Sequence, residues 1–209
     1  MKTILITQRV HIIPSYQERR DCLDQRWFDF LSKISCYPIL VPNNSDILQL
    51  ILNNNKIDGV ILTGGNNLVS YGGDAPERDH IENILINYSV NNKIPIIGVC
   101  RGMQMIQNYF KVNLERIENH VATKFLLKAK HKSQHTEYLK SLKKVNSYCN
   151  YGSFTTSNEL DIVATNKHKT IFAIEHTNLP IWGQMWHPER ENPFNINEIN
   201  FFKNFLLGE

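Results

Sequence analysis

Three short runs, residues 3–7 (TILIT), 59–63 (GVILT) and 94–99 (IPIIGV), are apolar almost throughout, rich in isoleucine, and end at polar residues or glycine. A strand with one face in water alternates polar and apolar residues; runs without that alternation are buried on both faces, as parallel strands between helical layers are. Such strands oblige the rest of the chain to supply covering helices. After the first run, Leu23, Trp27, Phe30, Leu31 and Ile34 recur at helical spacing, with Arg19, Arg20, Asp24, Arg26 and Asp29 opposite, which predicts a crossover helix. Asp74 and Glu77 have capping-box spacing, and Ile81, Ile84, Leu85 and Tyr88 follow as an apolar stripe until Pro95 enforces an extended chain. Asn195 and Glu198 repeat that start signal ahead of Ile196, Ile199, Phe202, Phe205 and Leu206. Strands alternating with helices predict an α/β protein: a mostly parallel central sheet with helices on both faces.

From about residue 111 to 179 the pattern shortens to β-like runs, 125–129, Lys144–Tyr148, 161–164 and 170–175, which predict a small antiparallel extension; 131–138 reads as a polar loop. With 209 residues, 42% apolar content and no repeat or linker, one domain spanning 1–209 is expected. A net charge of +3 is too small to suggest nucleic acid. The first ten residues lack a long apolar segment and a small-residue cleavage site, and no run approaches the roughly 20 apolar residues that span a bilayer. Four cysteines without a CxxC pair suit a reducing compartment, so no membrane association and a cytoplasmic location are expected.

One cysteine stands apart. Gly98-Val99-Cys100-Arg101-Gly102 leaves a buried strand and enters a helical stretch, the setting of a nucleophile elbow with Cys in place of Ser. The flanking glycines remove side chains where strand and helix crowd each other, and the helix that follows aims N–H groups at the sulfur. Cys22, Cys36 and Cys149 lie in no elbow and read as inert thiols. Near the other end, 181–186 reads as a strand running into His187-Pro188-Glu189. Two-residue spacing along an extended chain puts the imidazole and the carboxylate on one side, as a base and its orienter require. Acyl transfer also needs oxyanion donors, and the backbone N–H of Arg101 and the Gly64-Gly65 turn after the 59–63 strand are the candidates.

LTGG (62–65), GVCRGMQ (98–104) and QMWHPE (184–189), in that order, resemble the class I glutamine amidotransferase domain over nearly the whole chain. The Arg after the Cys and DAPERD (74–79) look most like the free-standing γ-glutamyl hydrolase branch. The resemblance implies a flavodoxin-like fold and a γ-glutamyl thioester resolved by water. It carries the nucleophile to Cys100, the general base to His187, its partner to Glu189, and the oxyanion donors to Gly65 and Arg101. It places Gly64 and Gln104 near the bound glutamyl group. Related hydrolases often have Asn-Ser-x-His in the strand edging the pocket. Here the residues are Asn146-Ser147-Tyr148-Cys149, so Asn146 and Ser147 are expected at the pocket, with Cys149 a second thiol near it.

The stretch 16–27 (YQERRDCLDQRW) and the chain length resemble hydrolases whose small-molecule γ-glutamyl substrate carries a nucleotide diphosphate. Arg19, Arg20 and Arg26 follow the first strand, where a doubly wound sheet opens its ligand crevice, and arginine forks suit phosphate oxygens. Each is equally readable as a solvated residue paired with Asp21, Asp24 or Asp29. Lys124, Lys128, Lys130, His131 and Lys132 read as a solvated surface or a basic rim, and His120 as a weaker candidate for substrate contact. No cofactor is implied and no metal is expected, since His131 and His135 have no Cys, Asp or Glu set to complete a shell. The rivals are a glutaminase subunit feeding a synthetase, a hydrolase of a small γ-glutamyl amine such as γ-glutamyl-aminobutyrate, and a non-catalytic binding domain. On the leading reading no protein partner is required.

Overall fold

The computed structural model describes residues 1–130 and 133–208. In chain order the elements are β1 (Thr3–Thr7), β2 (Arg9–Ile13), β3 (Glu18–Cys22), α1 (Arg26–Ile34), β4 (Tyr37–Val41), α2 (Ser45–Asn54), β5 (Gly59–Leu62), α3 (Pro76–Asn92), β6 (Ile96–Val99), α4 (Arg101–Tyr109), β7 (Glu115–Arg116), β8 (Val121–Leu126), β9 (Lys128–Ala129), α5 (Thr136–Ser141), β10 (Lys144–Tyr148), β11 (Tyr151–Gly152), β12 (Leu160–Thr165), β13 (Ile171–His176), β14 (Ile181–Gln184) and α6 (Ile196–Leu207). Eight strands form one sheet in the order β4-β1-β5-β6-β14-β13-β12-β9. The first five are mutually parallel, and β13, β12 and β9 continue them as the antiparallel extension. As their unbroken apolar runs predict, β5 and β6 are buried along their whole length, and β14, which ends in Gln184, is as well.

Helices cover both faces. On one, α1 and α6 pack together around Phe30, whose ring meets Phe194 and Phe202 edge-on at 5.5 and 5.1 Å. On the other, α3 and α4 pack against each other and against β5, with α2 beside α3. Among the described residues no helix is long and apolar enough to cross a membrane.

Several local expectations are corrected. The segment after β1 turns back as the β2–β3 hairpin before α1 begins, so Arg19 and Arg20 lie on a strand, not on the helix face; the hairpin pairs Val10 with Asp21 and Ile12 with Arg19, and Gln17 takes φ 54° in its turn. The capping box at α3 is not made. Ala75 is the N-cap, while Asp74 accepts from Asn66 Nδ2 at 3.2 Å and Glu77 is taken by Arg19. At α6, Asn195 does cap, accepting from Asn197 N–H at 2.9 Å, but Glu198 turns into the core. Residues 131 and 132 of the expected polar loop and basic rim lie outside the described residues. The loop's end is α5, held because Tyr138 stacks on Phe201 with ring centroids 4.0 Å apart and Leu139 is buried.

The sheet order positions the site. β5, β6 and β14 are neighbours in register, with Leu62 opposite Gly98 and Val99 opposite Gln184. Their carboxyl ends therefore deliver Gly64-Gly65, Cys100 and His187 to one place.

Candidate active site

Cys100 joins β6 to α4 with φ 54° and ψ −106°, a conformation costly for any residue with a side chain. The backbone holds it there from both sides: its N–H donates to Gln184 O at 2.7 Å and its carbonyl accepts from Gln104 N–H at 3.1 Å. The crowding expected of the flanking glycines is present. A Cβ on Gly98 would lie 2.5 Å from the Gly102 backbone, and one on Gly102 would lie 2.1 Å from Leu62 O.

His187 reaches Cys100 from β14. Its N–H donates to Asn146 Oδ1 and its carbonyl accepts from Asn146 Nδ2, both at 2.8 Å. Nδ1 is 2.7 Å from Glu189 Oε1, leaving Nε2 on the Cys100 side with no other hydrogen-bond partner among the described residues. The expected pairing is thus made by a different geometry: strand β14 stops at Gln184, and a 3-10 turn over Pro188–Arg190 folds Glu189 back under the ring. Imidazole and carboxylate are each about 2% exposed. Burial disfavours the imidazolium, but the charges of Cys100 and Glu189 outweigh it and raise the His187 pKa to about 9. The ring cannot retreat, because a Cβ on Gly64 would already lie 2.6 Å from Cε1. Gly64 therefore packs directly against the ring of the base.

Gly65 has φ 89°, a left-handed conformation that glycine alone adopts at little cost, and its carbonyl accepts from Arg78 Nη1 at 2.7 Å. Arg78 also donates to Thr63 O at 2.7 Å and to Glu82 Oε1 at 2.9 Å. The guanidinium of Arg101 points away from the site, into Glu82 Oε2 and Asp79. Arg78 and Glu82 are fully buried and Arg101 nearly so. Burial and the like charge of Arg101 lower the Arg78 pKa to about 10, which leaves it charged at neutral pH. Both proposed oxyanion residues, Gly65 through Arg78 and Arg101 directly, are thus tied to the carboxylate of Glu82. Sequence reading gave neither Arg78 nor Glu82 a role of its own, Arg78 entering only within DAPERD (74–79). The spacing 78, 82, 85, 89 is nevertheless one helical face, and the buried side of α3 runs along it.

A hollow of about 280 Å³ lies over Cys100, walled by Gly65, Asn66, Asn67, Arg101, Gln104, Tyr148, Cys149 and Asn150. Gln104 is at its wall as expected, tethered by a 2.8 Å bond from Nε2 to Tyr151 O. Cys149 is the second thiol beside the site; burial first, and then the charge of Cys100, push it up to about 12. Asn146 and Ser147 are not at the pocket surface: Asn146 is buried holding the His187 backbone, and Ser147 is fully buried with its hydroxyl 3.3 Å from the Cys149 sulfur. His120 is likewise walled in, with Nδ1 2.6 Å from Glu118 O, Nε2 2.9 Å from Asn166 Nδ2 and its ring stacked on Phe125. It is a satisfied core histidine. Arg19, Arg20 and Arg26 are occupied by Glu77, Glu18 and Asp24, each at 2.5 Å. Among the described residues no three His, Cys, Asp or Glu side chains gather as a metal shell would need.

A strained cysteine at a strand end, an imidazole oriented by a buried carboxylate, and two backbone N–H candidates are what acyl transfer through a thioester requires. The fold and this arrangement define a glutamine amidotransferase-like class. A glutamine amidotransferase from Thermotoga maritima shares the fold, with a TM-score of 0.61 at 14% identity over 97% of this chain and 83% of that one. The chain belongs to the Peptidase C26 family, which matches residues 5–189. It is 32% identical to the γ-glutamyl-CDP-amidate hydrolase of Campylobacter jejuni over 96% of both chains. It is also 27% identical to a glutamine-hydrolyzing GMP synthase subunit from Methanococcus aeolicus over 81% of this chain and 86% of the other.

Proposed function

We propose that this chain is a cytoplasmic, single-domain cysteine hydrolase that cleaves a γ-glutamyl amide without a protein partner. The observation that carries the reading is the meeting of Cys100, His187 and Glu189 at the ends of adjacent strands. His187 Nε2 takes the thiol proton and the sulfur attacks the γ-carbonyl carbon. The resulting oxyanion accepts from the N–H groups of Gly65 and Arg101. As the tetrahedral centre collapses the C–N bond breaks, and the imidazolium returns its proton to the leaving nitrogen. Water, deprotonated by the same His187, then attacks the thioester, releasing glutamate and restoring the thiol. Glu189 keeps Nδ1 protonated throughout, so that Nε2 is always the exchanging nitrogen.

The substrate we favour is γ-glutamyl-CDP-amidate, split into glutamate and cytidine diphosphoramidate for phosphoramidate modification of a capsule or surface polysaccharide. The 32% identity to the Campylobacter jejuni hydrolase over nearly the full length of both chains supports it. The likeness to a GMP synthase component supports a second reading, a glutaminase that passes ammonia to a synthetase. Mass spectrometry of γ-glutamyl substrates incubated with the purified chain separates the two. The expected result is cleavage of γ-glutamyl-CDP-amidate without any partner, lowered at least about 10⁴-fold in Cys100→Ala with the fold intact. Turnover of free glutamine alone, and only with an added synthetase, would favour the second reading; full activity in Cys100→Ala would remove both.

A further inference from the structure

The leaving group proposed above is an anion, yet the hollow over Cys100 offers it no free cation. The only basic residue among the described ones lining that hollow is Arg101, whose guanidinium is spent on Glu82 and Asp79. Arg19, Arg20 and Arg26 are each held in an ion pair. Two other arginines differ. Arg9, at the start of β2, is exposed, and among the described residues its side chain has no carboxylate partner. Its stem lies along the Gly65 backbone, close enough that a Cβ on Gly65 would be 2.8 Å from Arg9 Cδ. Arg190 follows Glu189 directly. Its guanidinium carbon sits 4.4 Å from the centre of the Tyr148 ring, Nε makes no hydrogen bond among the described residues, and the Glu189 oxygen 3.7 Å away is already bonded to His187.

Arg9 and Arg190 line one narrow hollow together with Gly64, Gly65 and His187, and it meets the Cys100 hollow at Gly65. The chemistry fixes which side of Cys100 this is. His187 must protonate the departing nitrogen, so whatever that nitrogen carries lies on the His187 side, while the glutamyl portion lies toward Gln104 and Asn150. Asp24 also borders the narrow hollow, but Arg26 engages both of its oxygens.

We infer that Arg9 and Arg190 are the recognition site for the diphosphate of the leaving group, gripping it across the mouth between Gly65 and Tyr148; this rests on the γ-glutamyl hydrolase reading. The narrow hollow, about 20 Å³, is too small to swallow a diphosphate, so the phosphates span its mouth and the nucleoside projects outward. Guanidinium forks match phosphate oxygens, and stacking on Tyr148 pre-orients Arg190, which lowers the cost of ordering it.

The test compares kcat/KM for γ-glutamyl-CDP-amidate with kcat/KM for an uncharged γ-glutamyl anilide in the wild type, Arg9→Gln, Arg190→Gln and the double variant. CDP binding, measured by calorimetry, reads the same site without turnover. Each single change is expected to lower the charged-to-uncharged ratio about tenfold, the size of one lost charge-assisted bond, and to weaken CDP comparably. Arg20→Gln should move the ratio far less than Arg9→Gln does. Equal losses on both substrates, or CDP binding indifferent to Arg9→Gln, would overturn the site. A wild type that cleaves the anilide but neither cleaves the CDP-linked amide nor binds CDP rejects the arginine pair and leaves the hydrolase reading standing. Failure on both substrates strikes the hydrolase reading, and the CDP titration then still decides the site.

Discussion

Cys100 and His187 stand at the ends of neighbouring parallel strands, yet the two are anchored by opposite chemistry. Beneath the elbow lies a cluster of full charges, Arg78, Glu82, Arg101 and Asp79, with Thr7 Oγ1 donating to Glu82 at 2.9 Å. Behind His187 the supports are the amide of Asn146 and a cluster in which Glu198 accepts from Trp186 Nε1 and Tyr138 Oη at 2.5 and 2.7 Å. Burial raises the Glu198 pKa to about 7, and the nearby charge of Glu189 adds to that rise. On the proposed mechanism the difference follows from what each half must do. Oxyanion donors have to keep a fixed spacing, and a carboxylate shared by two guanidinium groups ties distant segments rigidly. A base has to gain and lose charge: Glu189 supplies the charge that favours its imidazolium, and the backbone that carries the ring is held by the neutral amide of Asn146.

Three substitutions test that contrast. The largest effect is expected from Glu82→Ala, which leaves two buried guanidinium groups short of a partner. Loss of about 3–5 kcal/mol by urea denaturation is expected, with kcat falling more than KM rises, because the oxyanion donors lose their common tie. An unaltered midpoint would mean that Asp79 alone suffices. Asn146→Ala comes next. It strips the His187 N–H and carbonyl of their partner, so about 1–3 kcal/mol of stability should go, together with up to about a hundredfold in kcat as the imidazole loses its aim. If kcat is untouched, the 3-10 turn and Gly64 hold the ring unaided. Smallest is Glu198→Gln, which bears on pH. A carboxyl whose pKa is raised on folding binds its proton more tightly in the folded state. Its contribution is therefore present below about 4.5 and is lost as pH rises through about 7. Melting temperatures across that window should show the wild type losing ground to the variant; parallel curves would place the titration elsewhere.

Three strands of the parallel half, β1, β5 and β6, could be read from residues because they carry an unbroken apolar signature, and the elbow because strand, glycine and cysteine fall in a fixed order. Less local features were hidden. The β2–β3 hairpin was invisible because Trp27, Phe30, Leu31 and Ile34 make so strong a helical stripe that Leu23 and the arginines before it were drawn into the same helix. Arg78 and Glu82 were hidden because a buried charge looks like a surface charge until its partner arrives from elsewhere in the chain, here from Arg101. Asn146 sits in the stretch expected to edge the pocket, but its amide is taken up by the backbone of His187, 41 residues further along the chain. Strand β4 and helix α2 had left no reading at all, since β4 is largely exposed or half-buried along its length and α2 buries only Leu48.

Arg101 illustrates how mutational data on such a protein can mislead. Its amide directly follows Cys100 while its guanidinium is enclosed with Glu82 and Asp79 on the far side of the helix start. A scan replacing each residue with alanine would register Arg101 as indispensable and invite the conclusion that a cation grips the substrate there. The substituted chain would in fact keep its amide and lose its internal scaffolding. Variation tolerated at this position would track changes at Glu82 and Asp79, and would carry no information about what enters the pocket.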